Sequence, residues 1–584
     1  MIIPTFESIS KNISEVKPMK LSPFLMVAIL PCFGFAQWSQ DPRVNTVWEQ
    51  PENQGAPVIC TDGDGGAIVA WGSDSGIRAN RVDKFGYRQW GNNGVPVLPV
   101  PGPRIPTNII PDGRGGAIIV WEDFTKGFQM GDPDRPENEM YAQRLDRAGK
   151  RLWDTSGVVI REFIAKAGIG DFQIVTDDHE TYMISWFDQR EPWQWYVQRI
   201  DLNGQIAFEK NGRPIPIESR IFSGLRRVVS DGKGGMLMTR GNNQLGVVVD
   251  KVNKDGNFPW PLGGIPTHTG GRIAMTSDGY GGAIVVGLYF TSGPPNYDAE
   301  GRIQRIDSTG HLLWGETGKI FAPDADVKTI PHLVSDNAGG AYVTWDDTSG
   351  GKRELYVARF NHKGLMVWKT KGFRLWNRSI NGPPSLSNIR GSIIWLLNDF
   401  STTAGDLYAF RVDSSGATSW GMDGVLIRYR NFEEWPYFLE VTPDSRGGFI
   451  AVWSERRPSG WQNLAFQQVS IDGKLGDVIT RVAPKDERWY YSDNFVFLPP
   501  FPNPANPTTK ITFSIREMAK VLLRVMNITG ESVITLVNRQ FTPGRYEIFW
   551  NGLNYQGKEV SSGLYFIQIV VANKTQVRKL LLIH

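Results

Sequence analysis

The chain has 584 residues, a formal net charge of +3 at pH 7, 64 glycines and 12% aromatic residues. Its length exceeds that of one ordinary domain, so a large domain and a smaller one are expected. The charge is balanced and no long run has a single sign, which argues against a nucleic-acid-binding surface. Of the two cysteines, Cys32 lies in the leader described next, and Cys60 alone cannot form an intramolecular disulfide.

The N-terminus is typical of an export signal. Lysines precede an apolar stretch of about 15 residues (21–35), which is short for a transmembrane helix. The stretch is followed by the small residue Ala36, which a signal peptidase recognises, so cleavage is expected between Ala36 and Gln37. Residues 1–36 are therefore predicted to be a signal peptide. Met19 opens the compact part of this leader and is an alternative initiator.

One β-rich unit is repeated eight times between Gln37 and Asp472. A typical copy has a short apolar run, an Asp-Gly turn, a second apolar run, a polar loop, a strand with a basic residue, and an aromatic residue. The Asp-Gly turns are 62–66, 112–116, 231–235, 278–282, 336–340 and 444–448, with degenerate copies at 177–182 and 387–392. A unit of roughly 50 residues with four strand-sized segments is typical of one propeller blade. The predicted fold class is therefore all-β, with an eight-bladed β-propeller.

A basic residue recurs in the third segment of seven copies. These residues are Arg81, Arg144, Arg199, Lys251, Arg305, Arg359 and Arg411. The eighth copy has Gln468 instead. A residue repeated in nearly every blade is expected to serve every blade, through ion pairs between blades and through turn caps. The alternative is a lattice of ligand contacts.

An aromatic residue near the fourth segment indicates how the ring closes. Its copies are Trp90, Trp153, Phe208, Trp260, Trp314, Trp368 and Trp420. The eighth copy lacks this residue, but Trp38 lies upstream of the first copy at the same spacing. The mature N-terminus is therefore predicted to complete the last blade, so that the propeller spans residues 37–483.

Metal and catalytic signatures are sparse. The Asp-Gly turns could be calcium loops, but they lack alternating carboxylates and a distal Glu, which favours tight hairpin turns. The six histidines show no paired metal-ligand spacing, and no nucleophile elbow, phosphate loop or dinucleotide motif occurs. No metal or cofactor is predicted, and a non-enzymatic function is favoured. Carboxylate pairs for glycoside hydrolysis in the long loops remain the alternative.

Candidate ligand contacts lie where the repeat symmetry breaks. The loops after the second strands should share one face of the propeller, which is the usual ligand face. In blades four and five, Arg240 and Gly287 replace the aromatic residue that ends this strand in most other blades. A solvated rim without a ligand is the alternative. The predicted ligand-binding residues are Asp123, Asp188, Arg190, Arg240, Tyr289, Tyr297, Asp347 and Asp399.

The repeat ends before a linker, 484–497, and residues 498–584, which begin with a Pro-rich stretch, form a second domain in the prediction. Short alternating apolar runs separated by Gly-containing turns predict a small β-sandwich there. Short motifs in this segment include Pro-Asn-Pro, Pro-Gly, Ser-Gly-Leu-Tyr and a terminal Lys-Leu-Leu-Leu-Ile. Their principal residues are Pro502, Asn503, Pro504, Gly544, Gly563, Tyr565 and Lys579.

These residues resemble the type A C-terminal sorting domain of cargo of the type IX secretion system. The segment is also similar to the Ig-like domain of flagellar hook-capping proteins. The resemblance implies an Ig-like fold and recognition by the secretion machinery. It also implies passage through the periplasm to the cell surface or the medium.

The predicted function is that of a secreted or cell-surface propeller for binding, adhesion or scaffolding. A glycan or a surface protein is the expected ligand, and a monomer is expected. The alternative is a secreted hydrolase or lyase that acts on polysaccharide or peptide at the loop face.

Overall fold

The structure is a computed structural model. It describes residues 38–39, 42, 45–48, 52–98, 100, 102, 104–125, 138–164, 167–177, 179–216, 227–242, 246–290, 299–322, 331–348, 354–368, 372–376, 385–389, 391–399, 406–421, 423–429, 437–456, 462–476, 480–482, 495–515, 517–541, 544–556 and 558–583. Throughout these ranges the regular structure is β-strand, and no helix occurs. The predicted cleavage site between Ala36 and Gln37 lies outside them.

In the described part of the chain, no helix is long and apolar enough to cross a membrane.

The first four repeats each form a four-stranded antiparallel sheet. Blade one contains β2 (Gly55–Thr61), β3 (Ala67–Ser73), β4 (Gly76–Val82) and β5 (Val95–Leu98). Blade two contains β6 (Arg104–Pro111), β7 (Ala117–Asp123), β8 (Glu139–Leu145) and β9 (Val158–Arg161). Blade three contains β10 (Ile169–Val175), β11 (Thr181–Asp188), β12 (Gln194–Asp201) and β13 (Arg213–Pro214). Blade four contains β14 (Val228–Ser230), β15 (Met236–Asn242), β16 (Gly246–Val252) and β17 (Ile265–Pro266).

The last four repeats follow the same order. Blade five contains β18 (Gly271–Ser277), β19 (Ala283–Phe290), β20 (Ala299–Ile306) and β21 (Lys319–Ala322). Blade six contains β22 (His332–Ser335), β23 (Ala341–Asp347), β24 (Glu354–Phe360) and β25 (Phe373–Trp376). Blade seven contains β26 (Ser385–Ile389), β27 (Ser392–Asp399), β28 (Asp406–Val412) and β29 (Val425–Arg428). Blade eight contains β30 (Tyr437–Pro443), β31 (Phe449–Arg456), β32 (Gln462–Val469) and β1 (Thr46–Trp48).

The first strands of the eight blades form the inner wall of the ring. Each contacts the first strand of the next blade, and β30 contacts β2, so the circle is complete. The second strands are apolar along their length because both of their faces pack against neighbouring blades. The prediction of an all-β, eight-bladed propeller is confirmed.

Blade eight is completed by the N-terminal strand. β1 pairs antiparallel with β32, with Val47 opposite Ala465. The buried Trp48 ring lies 4.1 Å from the Phe466 ring of blade eight and 5.9 Å from the Trp71 ring of blade one, measured between centroids. The strand therefore joins the two ends of the ring by backbone pairing and by aromatic packing.

The Asp-Gly turns are hairpins in which one carboxylate has two tasks. Asp62 Oδ1 accepts the backbone N–H groups of Asp64 and Gly66, both at 2.8 Å, and Oδ2 accepts Arg81 Nε at 2.9 Å. A Cβ on Gly66 would lie 2.2 Å from the Val82 carbonyl oxygen, so only glycine fits. The carboxylate is saturated by its own turn, as a hairpin rather than a calcium loop requires.

The recurrent arginines join the blades differently from the prediction. Arg144 pairs at 2.9 Å with Asp112, which belongs to the same blade. Its Nη1 group then donates to the Leu202 backbone oxygen of blade three at 3.0 Å. For Arg144, therefore, the ion pair lies within one blade, and the hydrogen bond to the next blade is accepted by a backbone carbonyl group.

The C-terminal domain contains β33 (Thr480–Val482), β34 (Phe495–Phe497), β35 (Phe501–Asn506), β36 (Thr508–Ile515), β37 (Ala519–Met526), β38 (Ser532–Phe541), β39 (Gly544–Trp550), β40 (Gly563–Val571) and β41 (Lys574–Leu582). Their order is β33-β39-β36-β35-β41-β40-β37-β38, with β34 on β36. One core unites the two halves of this arrangement. It includes Phe495 and Phe497, which the sequence prediction placed in the linker.

Candidate functional site

A cavity of about 650 Å³ opens where blades eight, one and two meet. It lies at the ends of the inner strands, beside the loop that joins β3 to β4. Its lining is Asn53, Gly55, Ala56, Gly72, Ser73, Asp74, Gly102, Arg104, Ile105, Phe124, Phe438 and Gln462. The cavity combines charged, amide and aromatic side chains, which is the composition of many ligand sites.

Bulges in the inner strands shape this cavity. The pairing register shifts between Gly55 and Val58 in β2 and between Tyr437 and Glu440 in β30. Within the bulges Ala56 has φ 45° and Phe438 has φ 53°, a conformation that L-residues rarely adopt. The bulge presents the Phe438 side chain to solvent, with 59% of its surface exposed.

The polar wall depends on closure of the ring. Asp74 accepts the backbone N–H of Asn53 at 3.3 Å and its Nδ2 group at 3.4 Å. Asn53 Oδ1 in turn accepts the Gln462 backbone N–H at 3.2 Å. Asn53 follows the closing strand β1, so the N-terminal segment both completes blade eight and builds the cavity.

Asp123, a predicted ligand contact, lies behind the cavity. It is buried and accepts Arg104 Nε at 2.6 Å. Arg104 also donates to the Val100 carbonyl oxygen at 2.8 Å, so its guanidinium group is held at the cavity wall. Asp123 therefore positions a lining residue and does not line the cavity itself.

Two further carboxyl groups near the inner wall have raised pKa values. Glu440 on β30 has an exposed side chain. The protein around its carboxyl group nevertheless desolvates that group and raises its pKa to about 7. Desolvation also raises the pKa of Glu122 on β7 to about 7, with a smaller effect of the negative charge on Asp171, while the hydrogen bond from Asn138 opposes the shift. Both groups change charge near neutral pH.

Asp188 and Arg190 are the two predicted contacts that the structure brings together. Arg190 Nη2 lies 2.8 Å from Asp188 Oδ2, and its guanidinium group lies 3.7 Å from the Tyr196 ring centroid. Asp188 is fully buried and also pairs with Arg161 of blade two at 3.1 Å. The Asp188 carboxylate thus joins two blades. As ligand contacts, both residues remain predictions.

Arg240 and Tyr289 lie in separate blades. Arg240 is buried and pairs with Asp250 on the adjacent strand at 2.6 Å. Tyr289 is 40% exposed, and the Arg302 guanidinium group lies 3.7 Å from its ring centroid. Tyr297 lies outside the described residues.

Asp347 and Asp399 end the second strands of blades six and seven. Asp347 is half-buried and pairs in register with Glu354, whereas Asp399 is buried and lies opposite Asp406. The predicted contacts are thus distributed around blades two to seven, and the structure does not gather them in one cavity.

Sequence reasoning missed Asn53, Phe124, Phe438 and Gln462. One local signal was present, since Phe438 puts a large aromatic residue at the start of an inner strand. The cavity itself depends on contacts between residues about 400 positions apart, such as Asn53 and Gln462. The repeat pattern does not encode these contacts.

The described ranges contain no group of three or more His, Cys, Asp or Glu side chains that could hold a metal ion.

The motif residues of the C-terminal domain hold its strands together. Asn503 Nδ2 donates to the Lys579 carbonyl oxygen, and Asn503 Oδ1 accepts the Leu581 N–H, both at 2.9 Å. Tyr565 packs edge-on against Trp550 with centroids 5.3 Å apart, and its hydroxyl donates to a backbone carbonyl. The side chain of Asn503 therefore ties the Pro-Asn-Pro segment to the C-terminal strand.

Residues 500–583 match the family model described as a secretion system C-terminal sorting domain. The resemblance found in the sequence is confirmed for this domain. No curated protein matches the chain.

Solved structures that are similar to the chain include the following three. PorZ, an essential bacterial surface component of the type IX secretion system of Porphyromonas gingivalis, is 13% identical, with 88% of this chain and 74% of that chain covered and a TM-score of 0.28. A PL25 ulvan lyase, a polysaccharide lyase, is 11% identical over 72% of this chain and 95% of that chain, with a TM-score of 0.38. Prolyl oligopeptidase B from Galerina marginata is 14% identical over 73% of this chain and 57% of that chain, with a TM-score of 0.37.

Proposed function

We propose that the propeller of this protein is a binding module. Residues 500–583 form a type IX secretion sorting domain, so the protein is cargo exported to the cell surface or the medium. The ligand is a polar polymer such as a glycan. It binds in the cavity between blades eight, one and two.

The composition of the cavity is the observation that supports this function. Phe438 offers an exposed aromatic ring at one wall, and Asn53 and Asp74 offer amide and carboxylate groups at another. Sugar rings stack their C–H faces on aromatic rings and use their hydroxyl groups for hydrogen bonds to such polar groups. Arg104, fixed by Asp123, adds a donor at a defined position.

A second exposed aromatic residue extends the same face. The Arg302 guanidinium group covers one side of the Tyr289 ring and leaves part of the ring open to solvent. A polymer longer than the cavity can use such a platform as a second contact. Of the residues predicted from the symmetry breaks, the exposed Tyr289 is thus proposed as a secondary contact of the loop face.

Binding and turnover should be measured together on a panel of glycans and peptides. We expect a glycan to bind without turnover, and Phe438→Ala to weaken its binding by about tenfold or more. Tyr280→Ala is the matched control because Tyr280, 64% exposed, lies in an Asp-Gly turn away from the cavity. Equal losses in the two variants, or no binding to any glycan, would contradict the proposal.

One observation favours the alternative of a hydrolase. A carboxyl group whose pKa is raised to about 7, as that of Glu122 is, can serve as the general acid of glycoside hydrolysis. Turnover of any panel glycan that is lost in Glu122→Gln would establish this alternative. Asp123→Ala and Asp188→Ala are poor probes, since each would leave a buried arginine unpaired.

We also propose that the propeller folds independently of the sorting domain. β33 pairs with β39, so the last strand before the linker belongs to the C-terminal sheet. A chain that ends at Gly476 should therefore retain the propeller and accumulate in the periplasm. Surface delivery of this truncated chain at the normal level would contradict the assignment of the sorting role to the C-terminal domain.

A further inference from the structure

Arg104 is a buried side chain that leaves one group open at the cavity. The side chain is only 6% exposed, yet it lines the cavity between blades eight, one and two. Its Nε group donates to Asp123 at 2.6 Å, and Nη1 donates to the Val100 carbonyl oxygen at 2.8 Å. Nη2 has no hydrogen-bond partner in the described part of the chain, and it stays open to solvent. Arg104 therefore offers the N–H donors of Nη2 to whatever occupies the cavity.

Arg161 shows how the ring satisfies a buried arginine by itself. It ends β9 between blades two and three, and its side chain is fully buried. Nε donates to Asp188, Nη1 donates to two backbone carbonyl oxygens, and Nη2 donates to Asp188 and to a third backbone carbonyl oxygen. All three nitrogens of Arg161 are thus bonded within the protein. An open donor on a side chain as buried as Arg104 is expected where a ligand supplies the acceptor.

The backbone around Arg104 holds its guanidinium group at the cavity wall. Gly102, another lining residue, lies so close that a Cβ on it would be 2.6 Å from Arg104 Nη1. On blade one, a Cβ on Gly72 would lie 3.2 Å from the Arg104 carbonyl oxygen. Asp74 follows Gly72 by two residues and also lines the cavity. The open donor of blade two and the carboxylate of blade one therefore belong to one site.

The charges of this site disfavour an anionic ligand. Asp123 compensates the charge of Arg104, which is the only cation among the described residues that line the cavity. The hydrogen bonds of Asp74 are with Asn53, which is uncharged. An anionic sugar would therefore meet the Asp74 carboxylate without a free cation to offset it. The open donor of Arg104 suits an uncharged acceptor such as a carbonyl oxygen.

Apolar side chains lie beside the open donor. Ile105 follows Arg104 on β6 and is 45% exposed, and the half-buried Phe124 follows the end of β7. Phe438 stands on β30 at the other side of β2, which lies between β30 and β6. The floor between these walls carries the small residue Ala56 of β2. The cavity therefore suits a group that combines a hydrogen-bond acceptor with an apolar tip.

We propose that Arg104 selects an acetamido group, and that the ligand is an oligosaccharide of N-acetylated amino sugars. This inference rests on the proposed glycan-binding function and specifies its substrate class. The acetamido carbonyl oxygen accepts the open Nη2 donor, and the methyl group packs on Ile105. The sugar ring stacks on Phe438, and Asp74 is an acceptor for the acetamido N–H. A sugar without the acetyl group has neither the carbonyl oxygen nor the methyl group.

The acetamido group can be tested by calorimetry with the full exported chain. The probes are oligomers of N-acetylglucosamine, glucosamine and glucose with the same length and linkage, at pH 7. We expect the acetylated oligomer to bind about tenfold more tightly than either of the others, a difference of about 1.4 kcal/mol. The glucose oligomer isolates the acetamido group, because it lacks both the acetyl group and the charge of an amine.

Two variants test the role of the named side chains. Arg104→Lys keeps a cation beside Asp123 but removes Nη2, so it should abolish the preference for the acetylated oligomer and leave binding of the glucose oligomer unchanged. Ile105→Ser should lower the preference about fourfold, since it removes the contact with one methyl group. Arg144→Lys is the control, because it makes the same change at a buried arginine that pairs with Asp112 of the same blade, away from the cavity lining. The melting temperature of each variant shows whether the fold is intact.

Several results would overturn the inference. Equal affinity for the acetylated and the glucose oligomers, or a preference that survives Arg104→Lys in a folded variant, would refute selection by Arg104 and leave glycan binding standing. Where Arg104→Lys does not fold, a preference that Ile105→Ser leaves unchanged would refute it in the same way. Binding of an acetylated alanine peptide without binding of any acetylated sugar would assign the site to a protein ligand. Failure of the whole glycan panel would instead refute the proposed function.

Discussion

The indole N–H of Trp38 donates to the backbone carbonyl oxygen of Lys84 in blade one at 3.1 Å. The same bond joins successive blades elsewhere in the ring. Its other copies are Trp90 to Arg147, Trp153 to Leu202, Trp314 to His362, Trp368 to Ser414 and Trp420 to Ile471. Trp38 thus makes for blade eight the contact that an internal tryptophan makes for its own blade, although it lies about 400 residues before strands β30 to β32 of that blade.

Removal of the Trp38 side chain should loosen the closure. Trp38 is 2% exposed, and truncation of a buried tryptophan to alanine costs about 3–5 kcal/mol. Trp38→Phe should cost only about 1 kcal/mol, because it keeps most of the packing and loses one hydrogen bond. Phe208 holds the equivalent place in blade three. Chemical denaturation measures the free energy of unfolding of both variants. Equal values for the alanine variant and the unaltered protein would refute the role of Trp38 in closing the ring.

The carboxylate of the Asp-Gly turn should contribute more to stability than its position on a turn suggests, because it is buried. Asp112→Ala removes the acceptor of two backbone N–H groups and leaves Arg144 buried without its partner. The expected loss is about 3–5 kcal/mol. Glu180→Ala is the control, since its pair with Arg114 is exposed and should contribute less than about 1 kcal/mol. Similar losses in the two variants would contradict this account of the turn.

The sequence predicts the ring because its signals are local. Each second strand is an apolar run between a Gly-containing turn and a polar loop, and the position of Trp38 predicts which end of the chain completes blade eight. The partners of charged residues are not local. Asp188 and Arg161 face each other from different blades, and Arg144 pairs within its own blade although its position is equally compatible with a bond between blades.

The cavity was beyond prediction for a related reason. It needs Phe438, Asn53 and Asp74 together, and only closure of the ring brings blade eight beside blade one. It also needs the bulges of β2 and β30, where Ala56 and Phe438 have positive φ without a glycine to indicate it. In the C-terminal domain the motif residues were sufficient to identify the sorting domain, although not the strand at Phe495–Phe497 that belongs to it.

Asn503 should stabilise the sorting domain. Asn503→Asp loses the donor to the Lys579 carbonyl oxygen and places a carboxylate against it at an exposed position, at an expected cost of about 0.5–1.5 kcal/mol. Asn554→Asp is a matched control because Asn554 uses only its oxygen in its two turn bonds, to Gln556 and Lys558. Protease resistance of residues 495–583 and surface delivery should fall in the first variant alone. Normal delivery of Asn503→Asp would contradict this role.

Glu122 should make the stability of the propeller dependent on pH. Its pKa is raised to about 7 in the folded protein from 4.5, so the folded state keeps a proton that the unfolded chain has lost. Stability should therefore fall as the pH rises from about 4.5 through 7. Glu122→Gln removes this loss and should melt higher than the unaltered protein at pH 8, with no difference at pH 4. A lower melting temperature for Glu122→Gln than for the unaltered protein at pH 8 would contradict this prediction, because it would show that the folded protein stabilises the Glu122 carboxylate.

The central claim is that an exported propeller binds its ligand between blades eight, one and two. Its most direct test is a crystal structure of the protein with the tightest-binding oligosaccharide from the panel. The account predicts a sugar ring stacked on Phe438 with polar contacts to Asn53 and Asp74. A sugar bound at the Asp-Gly turns, or at Tyr289 with the cavity empty, would contradict it.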